Sequence, residues 1–104
     1  AERRYYFKMI THIVLLQLKP DTTEDQILKA LDHVRSLQHT IPGIIDIQTG
    51  KNLHTSHQGY TYGFVMRFAT AEVYQGYAPH PAHQPVSQEL QSLCKDIIDF
   101  DLEK

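Results

Sequence analysis

The stretch Gly59 to Phe68 constrains this chain most. Tyr60, Tyr62, Phe64, Met66 and Phe68 alternate there with Thr61, Gly63, Val65 and Arg67. A β-strand, with its period of two, puts the first set on one face and the second on the other. The first face is too large and too apolar to leave in water, so helices must cover it. The second is lighter, with a glycine, a threonine and a valine, and suits contact with another sheet.

The other elements fit around that strand. Ile10 to Lys19 is short, rich in β-branched residues and stopped by Pro20. It is apolar on both faces, as expected of a strand whose sheet is covered on both sides. Its alternation sets His12, Val14, Leu16 and Leu18 on one face, expected to be the helix-covered one. Asp21 to Asp25 is a helix start, with Thr22 as the expected cap and Asp25 in the first turn, where negative charge is favoured. Ile27, Leu28, Leu31, Val34 and Leu37 follow at helical spacing, which leaves His33, Arg35 and His39 toward solvent. Ile41-Pro42-Gly43 ends the helix. Ile44 to Leu53 reads as a strand with Ile45 and Ile47 on one face, and Asn52 to Gly59 as a polar loop. Thr70 caps a short helix over Ala71 to Gly76. Gln84 to Lys95 forms a helix through Val86, Leu90 and Leu93, and Asp96 to Leu102 closes the chain as a strand.

The order β-α-β-β-α-β predicts an α+β, ferredoxin-like fold with a four-stranded antiparallel sheet and helices on one face. Ile13, Leu15, Thr61, Gly63 and Val65 are then left uncovered on the other face. A second copy is the simplest cover, because a two-fold interface matches one patch to itself. A homodimer, pairing as a dimeric α/β barrel, is expected.

Composition narrows the function classes. With 104 residues, 41% hydrophobic and 21% charged, the chain suits a single globular domain. A net charge of −2 gives no general attraction to nucleic acid or to an anionic membrane. Arg3, Arg4 and Lys8 against Glu2 give residues 1–8 a net +2. That segment reads as an N-terminal extension, natural or added, ahead of a domain over residues 9–104. Cys94 is alone, which excludes a disulfide framework and a cysteine-based zinc site and makes a cytoplasmic location the default.

The chemistry-bearing segment is Tyr77-Ala78-Pro79-His80-Pro81-Ala82-His83. Pro79 and Pro81 fix φ and bias Ala78 and His80 away from helix, making a stiff break. One explanation is a proline-rich helix entry with solvated histidines. The other is a pocket mouth with Tyr77 and His83 as an acid/base pair. His83 can exchange a proton near neutral pH, and a phenol can donate a hydrogen bond to a carbonyl or enolate oxygen. The pair suits proton abstraction beside a carbonyl, leading to isomerisation, cyclisation or decarboxylation. His80-x-x-His83 has metal-binding spacing but no third ligand nearby in sequence, and Asp96, Asp99, Asp101 and Glu103 read as a solvated acidic end. No metal site or cofactor is expected.

Several motifs carry a family resemblance. They are His12 in the first strand, Ile41-Pro42, Gly50-Lys51-Asn52, Gly59-Tyr60-Thr61, Tyr77-x-x-His80-Pro81-Ala82-His83 and Ile98-Asp99-Phe100-Asp101. Over about residues 9 to 102 the chain resembles the stress-responsive α/β-barrel domain family of the dimeric α/β-barrel superfamily. The resemblance implies a homodimer whose two sheets form a shared barrel. It also implies, by analogy with a plant polyketide cyclase of that family, an acid/base pair falling on Tyr77 and His83. Pocket histidines of that cyclase fall on His12, which matches, and on Tyr62, which does not. Positions that carry bulky aromatics in the cyclase fall near Ala30, Leu31 and Val34, and an apolar pocket position falls on Asp99. The candidate site is therefore Tyr77 and His83 as catalytic groups, with His12, Tyr62, His80, Leu31, Val34, Phe64 and Val86 as pocket residues.

Two function classes fit. One is a lyase- or cyclase-like enzyme acting on a carbonyl compound. The other is a non-catalytic dimeric domain that binds a small apolar ligand or serves as a scaffold. A monooxygenase of the superfamily type is a third, less favoured by the aromatics that fill the third strand. The test is whether the space under His80 to Val86 is open, or filled by Leu31, Val34, Tyr62 and Phe64.

Overall fold

A computed structural model describes residues 8–104. Its elements are β1 (Ile10–Leu18), α1 (Glu24–Thr40), β2 (Ile44–Lys51), β3 (Tyr62–Phe68), α2 (Ala71–Tyr77), α3 (His83–Leu93) and β4 (Cys94–Glu103). The expected extension over residues 1–8 lies, apart from Lys8, outside the described residues. The four strands form one antiparallel sheet in the order β2-β3-β1-β4. The α+β, ferredoxin-like architecture is as the alternation of elements predicts, with the short α2 preceding the second long helix.

Local chemistry sets the boundaries. Thr23, not Thr22, caps α1: its hydroxyl accepts the Gln26 amide, and the Gln26 side chain returns a bond to the Thr23 amide. This reciprocal pair satisfies two donors that a helix start would otherwise leave open. Thr22 instead donates to the Leu93 carbonyl at 2.7 Å, tying the α1 entry to the end of α3. Gly43 follows α1 with φ +94, and a Cβ there would come within 2.5 Å of the Val73 side chain. The turn therefore needs glycine both for its backbone angle and for the close approach of α2. Thr70 caps α2 by accepting the Val73 amide. Pro85 sits in the first turn of α3, where a missing N–H costs little.

The core lies between the sheet and the helices. Leu16, Met66 and Phe68 from the sheet meet Ile27, Leu31, Val34 and Leu37 from α1, all essentially inaccessible. Val14 and Leu16 face the helices, as predicted, and Ile10 joins them. The β2 expectation fails in one respect. A register shift between Ile44 and Asp46 breaks the alternation, so Ile44 pairs with Phe68 and Ile47 with Met66 on the helix side, while Ile45 is left exposed. Bulges reset the face of every later side chain and are not visible as a period in sequence.

Among the described residues, no helix covers the opposite face of the sheet. Across it run the rows Gln48–Val65–Ile13–Phe100 and Gly50–Gly63–Leu15–Ile98. Ile98, Phe100 and Leu102 are 40%, 54% and 49% exposed there. Ile13, Leu15, Gly63 and Val65 lie on this face as expected, and Thr61 precedes the strand. The apolar half of β4 belongs to the same face.

Candidate functional site

Tyr77 is the last residue of α2 and His83 the first of α3. The five residues between them form two hydrogen-bonded turns, from the His80 amide to the Tyr77 carbonyl at 3.1 Å and from the His83 amide to the His80 carbonyl at 2.9 Å. The two prolines remove donors and restrict φ in this segment, which forms a short arch, although Ala78, expected to avoid helical angles before Pro79, takes them at φ −60 and ψ −42. His80 serves that arch: its Nδ1 accepts the Ala82 amide at 3.0 Å.

Beneath the arch lies an open cavity of about 770 Å³, bounded by α2, α3, β1 and β4. That volume is within the range of small-molecule sites. Tyr77, His83, His12, Phe64 and Val86 all line it. The structure does not bring the other candidates to its wall. Leu31 and Val34 are sealed in the core against α1's own side of the sheet. Tyr62 is four residues from Met66, the partner of His12, which is roughly 13 Å along a strand. Its hydroxyl donates to Glu24 Oε2 at 3.3 Å near the start of α1. His80 does not line the cavity and is engaged with the Ala82 amide. The space under His80 to Val86 is thus open, because Leu31, Val34 and Tyr62 fill the other end of the layer.

The hydrogen bonds fix tautomers. His83 Nδ1 lies 3.1 Å from the Ala78 carbonyl. A carbonyl can only accept, so Nδ1 carries the proton and the neutral ring presents a lone pair at Nε2. Burial pulls the His83 pKa below its ordinary value, with the Ala78 bond and Asp99 opposing that shift. Tyr77 is only 6% exposed, and its ring centroid is 4.5 Å from that of His83 and 5.8 Å from that of His12. Among the described residues its hydroxyl has no hydrogen-bond partner, yet it is not sealed away. Burial, assisted by the charge of Asp99, pushes its pKa well above the usual phenol value. At neutral pH Tyr77 is thus a proton donor and His83 a proton acceptor.

His12 completes a second group that sequence reasoning missed. Its Nδ1 donates to Asp101 Oδ1 at 2.5 Å, and Tyr74 donates to Asp101 Oδ2 at 2.5 Å. Burial opposes the charge on Asp101, but the bonds from Tyr74 and His12 outweigh it and hold the carboxyl below the usual range. The same contact with Asp101 raises Tyr74. The acidic end is solvent-exposed, as expected, but it is also placed by the sheet: Ile97, Asp99 and Asp101 pair with Leu16, Val14 and His12 on the helix side. Its signal was the alternation of Ile98, Phe100 and Leu102 with Asp99 and Asp101. An amphipathic strand is ordinarily read with its apolar half inward; here the apolar half faces out. Among the described residues, no three or more His, Cys, Asp or Glu are grouped to hold a metal ion.

Fold and site together define a small ferredoxin-like α+β domain with a tyrosine and two histidines over a ligand-sized cavity. The chain belongs to the stress-responsive A/B barrel domain family, which it matches over residues 10–104. It is 28% identical to olivetolic acid cyclase of Cannabis sativa over 94 residues, covering 88% of this chain and 93% of that protein. Among solved structures it is similar to a dimeric ferredoxin-like protein of unknown function from Jannaschia sp. CCS1, with a TM-score of 0.82 and 28% identity over 92% of this chain and 99% of the other. It shares its fold with the hydroxynitrile lyase of Passiflora edulis, at a TM-score of 0.84 and 18% identity over 92% of this chain and 93% of the other. Among the described residues no helix is long and apolar enough to cross a membrane.

Proposed function

We propose that the protein is a homodimeric acid/base catalyst that removes a proton from carbon beside a carbonyl group, as in a lyase or cyclase reaction. One observation carries this: a buried phenol and an imidazole with a free Nε2 line the same open cavity, 4.5 Å apart ring to ring. His83 Nε2 takes the α-proton, and the Tyr77 hydroxyl donates to the oxygen on which negative charge develops. A donor placed at that oxygen acts chiefly on the transition state. The imidazolium formed at His83 returns that proton to the product, and His12, held in one tautomer by Asp101, lines the same cavity. The 28% identity with a protein named as a cyclase supports this class of reaction.

The dimer forms through the open sheet face, whose Ile98, Phe100 and Leu102 are left exposed by the described residues. The similar Jannaschia protein is described as dimeric, which supports that assembly. The cavity lies on the opposite side of the sheet and stays accessible in such a pair. The lone, buried Cys94 is consistent with the cytoplasm.

The test is deuterium wash-in at the carbon beside the carbonyl, followed by NMR in D₂O over a panel of methyl ketones and β-keto thioesters. Wild type is expected to exceed the buffer rate. Tyr77→Phe and His83→Ala should each fall by about 10²-fold or more while keeping the wild-type melting temperature. Full activity in both variants would sink the assignment. Ligand binding without wash-in would leave a non-catalytic binding domain.

A further inference from the structure

We infer that Asp99 is a specificity-determining residue that selects a substrate carrying a cationic amine alongside its reacting carbonyl. The inference rests on the cavity proposed above as the active site and names the class of molecule it takes. Three carboxylates line the cavity: Asp96, Asp99 and Asp101. Two are engaged. Asp101 holds His12 and Tyr74, and Asp96 accepts the Tyr60 hydroxyl at 2.5 Å. Asp99 has neither a hydrogen bond nor an ion pair among the described residues.

Its position gives that carboxylate a target. Asp99 pairs with Val14 on β1, one ladder step from the His12–Asp101 pair, so it sits roughly 7 Å along the strand from Asp101. Its neighbours on that wall, Val14, Phe64 and Ile97, are apolar and offer it no donor. Its charge nevertheless reaches both reacting groups: it adds to the rise at Tyr77 and partly opposes the lowering that burial imposes on His83. A molecule seated against Tyr77 and His83 is therefore within reach of Asp99. Asp99 is solvent-exposed where it lines the cavity, and over the few ångströms to a bound molecule its charge attracts a cation and repels an anion. Among the described residues, Lys95 on the β4 bulge is the one lysine or arginine of the lining, against three carboxylates, so the field at the site favours a cation. A substrate ending in a carboxylate or phosphate is disfavoured at this wall.

The experiment uses three methyl ketones of equal length, ending in a dimethylammonium, an isopropyl or a carboxylate group. The tertiary amine cannot close on its own ketone as an imine. Affinities are read by NMR titration with wild type, Asp99→Asn and His83→Ala. Asparagine matches aspartate in shape, and melting curves verify that the variant is folded. Wild type and His83→Ala should bind the dimethylammonium ketone about tenfold tighter than the isopropyl ketone, with the carboxylate weakest. Asp99→Asn should bring the three within about threefold of each other. Equal affinities in wild type, a preference that survives Asp99→Asn, or no measurable binding of the dimethylammonium ketone would each overturn the inference. A preference that depends on Asp99, with no deuterium wash-in, would refute the catalytic proposal and leave the role of Asp99 standing.

Discussion

Replacing Phe100 with serine should break the proposed dimer while leaving each protomer folded. Phe100 stands on the open sheet face, opposite Ile13, and is 54% exposed. A phenylalanine of roughly 200 Å² therefore leaves about 100 Å² in water in the single chain. At about 25 cal/mol per Å², covering it contributes about 2.5 kcal/mol. A two-fold interface uses the residue twice, so the variant loses about 5 kcal/mol, or a 10³- to 10⁴-fold rise in the dimer Kd. Sedimentation velocity across a concentration series measures this directly. Leu53→Ser is the control: Leu53 is 87% exposed but lies in the loop after β2, outside the strand rows that carry the proposed interface, and should leave the Kd unchanged. The protomer should keep its melting behaviour, since Phe100 lies outside the core between sheet and helices. A Phe100→Ser dimer within tenfold of wild type would refute the placement of the interface on this face.

Two further outcomes follow from the site and the sheet. Burial disfavours the imidazolium of His83, so its proton binds only below the ordinary histidine value. The wash-in rate should therefore be flat through pH 7 and fall on the acid side of pH ~6.5; an acid limb centred above that value would contradict His83 as the base. Gly63→Ala should destabilise the domain by about 1–3 kcal/mol in urea titration, because its Cβ would meet the Val14 carbonyl at 2.5 Å; unchanged stability would show that β1 and β3 can part locally at no cost.

Much of the fold was legible because it rests on local periods. The alternation through Tyr62, Phe64, Met66 and Phe68 and the helical spacing of Ile27, Leu31, Val34 and Leu37 are each read within one element and each is buried, while Tyr60 precedes the strand and Leu28 stays exposed. Boundaries shifted where two residues competed for one role, as when Thr23 rather than Thr22 capped α1 because Gln26 could return the bond. The site divided along the same line. Tyr77 and His83 stood close in sequence on a proline-bounded segment, so their proximity was visible. Tyr62, Leu31 and Val34 were assigned to the pocket by analogy, and the structure puts them at the filled end of the layer.

The sequence by itself determined the element order, the helix-covered face of the sheet and the proline-bounded segment that carries Tyr77 and His83. Those follow from side-chain period, caps and proline, which act over a few residues. Only the tertiary structure decided what faces the cavity from β4. Asp99 and Asp101 reach His12, Tyr74 and Tyr77 across 22 to 89 residues of chain, through the antiparallel register of β1 with β4. A strand's two faces are distinguishable from its pattern, but which of them looks inward is set by its neighbours. Here an apolar outer face free to meet a second copy turns the acids toward the helices, and with them the charge of the site.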